Sequence, residues 1–463
     1  MIALPLGSEH FERCPATAAG LSTVKRFALC TMVTTVATAS GCDRPTRDDS
    51  ATEAAPTFTI QDSAGIEIVE NHAPQHAPGE FWTIDTVPEF VLGGSGDRAA
   101  VADGSSHLIW QVKGLARLAD GRVAVLSPGS KQLMLFEPSG ELSVVIGGPG
   151  EGPGEFTRPL RLQYLPPDTL VVWDSFLTSI DYFDADGTLL KERSLDHGRL
   201  REHGVGPESL RLPLADGSFL AWVEDWIADV YPDDCSHLTE VGRISAPLGG
   251  RLYETEVTVS GKELLRIDDI YAAYSFGCAK PWKTYVAAGG DPPLVYISND
   301  DRGIHQRSLD GTLVRIIRRT VAPPPVTDRA WRAEREHWAR SLELEGWPPQ
   351  TDEDESFPRR EHYPAVEALL VDAEGYLWVM EWSASESGIP DQWSVFGPDG
   401  RWLGVLAFPP DLAAPDRNLC LQYTTTCWID RDYFLIVRQD ELGVERVEGY
   451  RIRRDHTGGS VPR

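Results

Sequence analysis

Leu115 to Gly147 reads LARLADGRVAVLSPGSKQLMLFEPSGELSVVIG. An apolar run ends at an acidic turn, Asp120-Gly121; a second run, a polar loop and a third run follow, and a turn at Ser139-Gly140 opens a fourth. Short apolar runs separated by Gly turns read as a small antiparallel sheet, because Gly supplies the positive φ that tight hairpins need. The pattern returns between Val366 and Phe408, in LLVDAEGYLWVMEW and WSVFGPDGRWLGVLAF. Aligning the second run of each copy gives VAVLS at 123, LVVWD at 170, FLAWVE at 219, LVYISN at 294, LWVME at 377 and FLIVR at 434, six copies in all. Most of these runs are apolar at odd and even positions alike, as expected of strands buried on both faces. Repetition of this kind predicts an all-β chain arranged as a six-bladed β-propeller.

The ring needs a closure. PEFVLGGSGD at 88 to 97 mirrors LSVVIGGPGE at 142 to 151, an outer strand followed by a Gly-rich linker. The sixth copy, from about Cys420 to Arg453, lacks a regular outer strand, so the N-terminal segment is expected to supply it and lock the circle. FTIQ at 58 and IEIVEN at 66 are expected to add edge pairing outside the ring. Asp184-Ala185-Asp186-Gly187 mimics a calcium loop but has Tyr182 and Arg193 where ligands should stand, so it reads as a hairpin turn. A short helical insertion is predicted at 326 to 362: Thr327-Asp328 offers an N-cap, and Trp331, Trp338 and Leu342 fall on one helical face. It would either lie over one mouth of the ring as a partial lid or cover blade edges on the outside.

The LADGRVAV and FEPSG turns, the GGPGEGPGEF linker and the VDAEGYLWV segment resemble six-bladed propellers of the NHL-repeat type and their bacterial lipoprotein relatives. The resemblance spans roughly residues 60 to 454 and implies a fold; such propellers host ligand binding, protein binding and several enzymes. The long third copy, around 209 to 280, and the insertion depart from the pattern.

With 70 acidic and 43 basic residues the formal net charge is −27, which argues against nucleic acid or an anionic membrane surface as a partner. The only membrane association expected is a lipid anchor. KRFALCTMVTTVATASGC at 25 to 42 has the basic, apolar, small-residue order of a secretory signal. Its Ala39-Ser40-Gly41-Cys42 ending resembles a bacterial lipobox, which makes Cys42 the lipidation site of a protein held outside the cytoplasm in the bacterial cell envelope. Met1 to Thr23 is neither basic nor apolar, which points to a translation start further along. The chain divides into a signal region at 1 to 41, an anchor and polar tether at 42 to 57, the propeller at 58 to 454 and a tail at 455 to 463. Cys235, Cys278, Cys420 and Cys427 remain for disulfides in an oxidising compartment; three connectivities exist, and pairing within one blade favours Cys235 with Cys278 and Cys420 with Cys427.

Residues just after the second run occupy equivalent places around the axis: Ser127, Asp174, Glu224, Asn299, Glu381 and Arg438. They are the predicted ligand-binding set. Asp174, Glu224, Asn299 and Glu381 could hold Ca²⁺, as the central cluster of calcium-dependent lactonase-like propellers does, and Arg438 could hold a carboxylate or phosphate. The same residues could equally be the polar ends of strands entering loops. No G-x-S-x-G elbow, H-E-x-x-H helix or phosphate loop is present, and no catalytic residue is assigned. Trp173, Trp222 and Trp378 read as core, whereas Trp226, Trp382 and Trp393 lie nearer loops, where they could stack on sugars or peptide aromatics. The expected function is a non-catalytic platform for a protein, peptide or glycan, with a calcium-dependent hydrolase as the alternative.

Overall fold

A computed structural model of the protein describes residues 55–77, 79–93, 109–195, 198, 206, 210–213, 218–224, 237–244, 264–272, 285–290, 292–299, 303–322, 325–329, 331–332, 362, 365–366, 368–380, 392–408, 426–440 and 443–454. All of them belong to the compact unit Ala55–Arg463. The signal region and Cys42 lie outside the described residues.

The described chain is mostly β. It opens with a hairpin, β1 (Phe58–Ser63) and β2 (Ile66–Asn71), and two short strands, β3 (Thr83–Ile84) and β4 (Phe90–Leu92). Six sheets follow in chain order. The first holds β5 (Gly114–Arg117), β6 (Val123–Ser127), β7 (Gln132–Phe136) and β8 (Leu142–Gly147). The second holds β9 (Pro159–Leu165), β10 (Thr169–Asp174), β11 (Ser179–Phe183) and β12 (Leu189–Ser194). The third holds β13 (Leu210–Pro213), β14 (Phe219–Glu224), β15 (His237–Ile244) and β16 (Leu264–Ala272). The fourth is built on β17 (Tyr285–Gly289), β18 (Leu294–Asn299), β19 (Gly303–Arg307) and β20 (Leu313–Arg319). The fifth holds β21 (Ala368–Val371), β22 (Leu377–Met380), β23 (Gln392–Phe396) and β24 (Trp402–Ala407), and the sixth is built on β25 (Cys427–Ile429), β26 (Tyr433–Gln439) and β27 (Glu445–Arg453). The six aligned sequence runs are β6, β10, β14, β18, β22 and β26, the second strand of each sheet. Where their side chains are described, these strands are buried on both faces, because a sheet sits on either side of each.

Six hydrophobic clusters fill the gaps between sheets, and each draws on two consecutive ones. Leu126, Leu133 and Ile146 of the first sheet meet Leu162, Leu170 and Val172 of the second. Trp173 and Ile180 of the second meet Phe219 and Ala221 of the third, and Leu220 meets Val295 and Ile297 of the fourth. Tyr296 and Ile304 pack on Leu377 and Phe396, Trp378 and Trp393 on Phe434 and Ile436, and Leu435 and Val437 of the sixth sheet on Val123 and Val125 of the first. Among the described residues no sheet has a core of its own.

The N-terminal segment runs outside three of these sheets. β2 pairs in parallel with β20, from Glu67↔Arg315 to Asn71↔Arg319. Beyond it, the backbone N–H groups of Gln75 and His76 donate to the carbonyls of Trp402 and Leu403, each at 2.9 Å. β3 and β4 then pair with β27, including Ile452↔Ile84 and Val447↔Leu92. A recurring contact marks β4 as an outer strand. The Gly187 turn of the second sheet seats on β8, where an added Cβ would lie 2.8 Å from Val144; the Gly400 turn of the fifth seats likewise on Arg315 of β20. The Gly140 turn of the first sheet seats on the Val91 carbonyl of β4.

The insertion begins as expected, with the Trp331 N–H donating to the Thr327 carbonyl at 2.9 Å, one helical turn. Trp338, Leu342 and the rest of that stretch up to 361 lie outside the described residues.

Asn71, almost fully buried, fastens the N-terminal strap to the fourth and fifth sheets. Its amide donates to the carbonyls of Arg318 and Gly400 at 3.2 and 3.1 Å and accepts from the Trp402 N–H at 2.8 Å. Asn71→Ala would strand three backbone groups and is expected to lower stability by about 3 kcal/mol. Urea unfolding checks this, and a midpoint equal to that of the wild type would show that the strap contributes nothing there.

Candidate functional site

β5 and β9 lie side by side and run the same way. An added Cβ on Gly114, at the start of β5, would meet Leu162, and past the end of β5 the Ala119 N–H donates to the Tyr164 hydroxyl at 3.2 Å. The turns that follow β6 and β10 therefore share one end of the molecule, together with the loops that enter β5 and β9.

Polar side chains at this end are turned onto the backbone. Ser127 is fully buried at the end of β6; its hydroxyl accepts from the Trp110 N–H at 3.0 Å and donates to the Trp110 carbonyl at 2.9 Å. Asp174, fully buried at the end of β10, accepts four N–H bonds. Its Oδ2 takes those of Thr157 and Arg158 at 2.8 and 2.7 Å, and its Oδ1 those of Phe176 and Leu177, both at 2.9 Å. Glu445 repeats the device at the start of β27, its Oε2 accepting from the Val112 N–H at 2.8 Å. In each case a strand-end side chain fastens the loop leading into a first strand.

Two aromatic rings are left in solvent. Trp110 is 58% exposed and Phe176 is 64% exposed, and they are the exposed aromatics among the large hydrophobic side chains of the described residues. The indole lies over Gly129, where an added Cβ would come within 2.7 Å of the ring, so Gly is required at that place in the turn. The backbone around the rings is also strained. Of four non-Gly residues with positive φ among the described residues, three stand here: Gln111 at 55°, Lys131 at 56° and Thr178 at 54°. For β-branched Thr178 the left-handed region is a true outlier, and strain of this kind persists where surrounding structure over-determines it.

Behind the Phe176 turn lies a buried acid without a partner. Asp181 is 2% exposed, and its Oδ1 and the Oγ of Ser179 make no hydrogen bond. The facing part of the first sheet is apolar, Leu126, Leu133 and Ile146. Burial, and then repulsion from Glu192 opposite on β12 and Asp174 on β10, pushes the Asp181 carboxyl up to about 7.

The remaining predicted residues divide as follows. Arg438, at the end of β26, has its Nε 3.7 Å from Glu448, while its Nη1 is buried without a partner. Glu448 also accepts from Arg446 and from the Tyr450 hydroxyl, both at 2.6 Å. Phe434 and Ile436, which share its face of β26, pack toward the fifth sheet. Glu224 and Asn299 end β14 and β18, but their side chains are not described; Glu381, Cys235, Cys278, Cys420, Trp226 and Trp382 lie outside the described residues. Cys427 is disulfide-bonded. Trp393 is not at a loop surface: it is 3% exposed and packs on Phe408 with ring centroids 5.9 Å apart. Trp110, Phe176 and Glu445 went unmarked in the sequence. Matching Phe176-Leu177 against Gly129-Ser130 in the aligned turns would have exposed a Phe where small polar residues are usual.

Two outcomes follow from these contacts. Asp174→Ala should lower stability by about 4 kcal/mol, since four N–H groups lose a charged acceptor, and by the same amount with or without Ca²⁺; a loss seen only with Ca²⁺ present would assign Asp174 to a cation. Folding favours the neutral form of Asp181, so stability falls as pH rises from the unfolded carboxylate value, near 4, to about 7, on the order of 4 kcal/mol in total. Asp181→Asn should remove that decline and be the more stable protein at pH 8. Parallel pH profiles for the two proteins would contradict it.

No family model matches the chain, and no curated protein matches it. Among solved structures, a protein from Bacteroides fragilis is 14% identical over 83% of this chain and 98% of that chain, with a TM-score of 0.42. A gluconolactonase from Xanthomonas campestris is 15% identical over 80% of this chain and 100% of its own, TM-score 0.34. Virginiamycin B lyase from Staphylococcus aureus is 10% identical over 74% and 94%, TM-score 0.34. At these TM-scores the likenesses assign no activity to this chain.

Proposed function

We propose that this chain is a six-bladed β-propeller of the NHL-repeat type, closed by its N-terminal strand and lipid-anchored through Cys42 on the outer side of a bacterial membrane, and that it serves as a binding platform. Its binding face is the loop end of the first two sheets. One observation carries the reading: the polar side chains of that end, Ser127, Asp174 and Glu445, are spent on backbone N–H groups, while Trp110 and Phe176 are held out into water. Internal hydrogen bonding of this kind makes a surface that keeps its shape without a ligand, which lowers the ordering cost of association. Disulfides joining Cys235 to Cys278 and Cys420 to Cys427 would stiffen the same fold. Calcium-dependent hydrolysis fits this end less well, because a cation at Asp174 would have to displace four donors already in place.

The test is retention of cell-envelope material on the immobilised full chain. A Trp110→Ala, Phe176→Ala double variant should lose it, whereas Asp120→Ala and Asp186→Ala, in exposed turns of the other end, should keep it. Equal retention by all three proteins would remove the platform from this face. Replacing Cys42 by Ala should move the protein from the membrane fraction to the soluble one.

A further inference from the structure

Resting on the platform reading, we infer that the Trp110–Phe176 face binds a glycan chain, with sugar rings stacked on the two aromatic side chains. The rings stand on neighbouring sheets, and packed sheets lie about 10 Å apart, so a short oligosaccharide can span both. What surrounds them is polar. Gln111 and Arg158 are exposed, Ser130, Lys131 and Thr157 are half-buried, and among the described residues neither Trp110 nor Phe176 is joined by a further exposed aliphatic side chain from its own loop. A protein partner would ask for a contiguous apolar centre with a polar rim. Two separate rings amid hydrogen-bonding groups suit a ligand that alternates apolar C–H faces with hydroxyls, and that is the surface of a sugar.

Rigidity points the same way. A weakly apolar ligand gains little from each contact, so the protein must not lose freedom on binding. Trp110 is fastened through both backbone groups to Ser127 and through its ring to Gly129, and Phe176 is fastened through its N–H to Asp174. The backbone that carries each ring is therefore held in place before any ligand arrives. Of the charged residues on these loops, Arg158, Glu151 and Glu155 are exposed and Lys113 and Lys131 half-buried, while Asp174 and Glu445 are buried and already accept hydrogen bonds. Charges of both signs stand at this end, so the face sets no requirement on the charge of the sugar, and a neutral and an acidic oligosaccharide are both candidate ligands.

Titration of the full chain, in detergent, with chitotetraose and with tetragalacturonate tests the inference, read by calorimetry and by indole fluorescence. Saturable binding of either oligosaccharide is expected, weakened about tenfold by Trp110→Ala and by Phe176→Ala separately and lost in the double variant. Phe176 is exposed, so its variant should unfold at the wild-type temperature and serves as the control if loss of the indole disturbs the Gly129 turn. Failure of both oligosaccharides to bind, or binding indifferent to both substitutions, overturns the glycan assignment. If the sugars fail while the double variant still loses its retention of envelope proteins, the ligand is a polypeptide and the platform reading survives alone.

Discussion

Sharing of cores between neighbours is the constraint from which the rest of this architecture follows. Every cluster of buried side chains among the described residues belongs to two sheets, so a sheet with one neighbour missing would present an apolar face to water. The pairing of β4 with β27 answers that constraint with chain from the far N-terminal side: Leu92 opposes Val447 in the backbone register and joins the cluster between the sixth and first sheets. Contacts of such long sequence separation carry a loop-closure cost before they contribute anything, and folds that depend on them form slowly. The parallel β2–β20 pairing and the Asn71 hydrogen bonds add a second hold on the same segment, so its attachment does not depend on the two short pairings with β27 alone.

The repeat was legible because it is written in side-chain periodicity and turn chemistry, both local. All six second strands sit where the alignment placed them, and the Asp184 turn closes as a hairpin, its Oδ1 accepting from the Asp186 and Thr188 N–H groups. The outer strand of the last sheet was legible too, through its likeness to Leu142–Gly147. The strap was only partly so. Nothing local in His72 to Trp82 announces that Gln75 and His76 pair with β24, since that pairing exists only once the fifth sheet does.

What a strand-end side chain faces is decided by its surroundings, not by its place in the repeat. Position within the repeat puts Ser127 and Asp174 at corresponding strand ends, but it cannot tell whether a strand-end carboxylate faces a ligand or its own loop. That choice depends on the loop entering the sheet, whose N–H groups at Thr157 and Arg158 arrive within reach of Asp174 and compete for its oxygens. Exposure of Trp110 and Phe176 is likewise a property of the assembled end. In composition they are two more aromatic residues among many, and only the turn alignment hints that Phe176 has no core to enter.

The buried acid behind the Phe176 turn ties the stability of the frame to the geometry of its face. Asp174 sits opposite Ser179 in the β10–β11 register, and Asp181 lies two residues further along the same face of β11. While Asp181 is neutral, Asp174 is the one charge among the three, and its attraction for four N–H dipoles goes unopposed. Ionising Asp181 sets a second negative charge in the same dry gap with no donor to receive it. The strained Thr178 joins the two acids through the chain, so relief of that repulsion by opening the gap would be felt first in the turn that presents Phe176. The strand that leaves the turn presenting Phe176 therefore carries a buried group whose ionisation opposes the folded state.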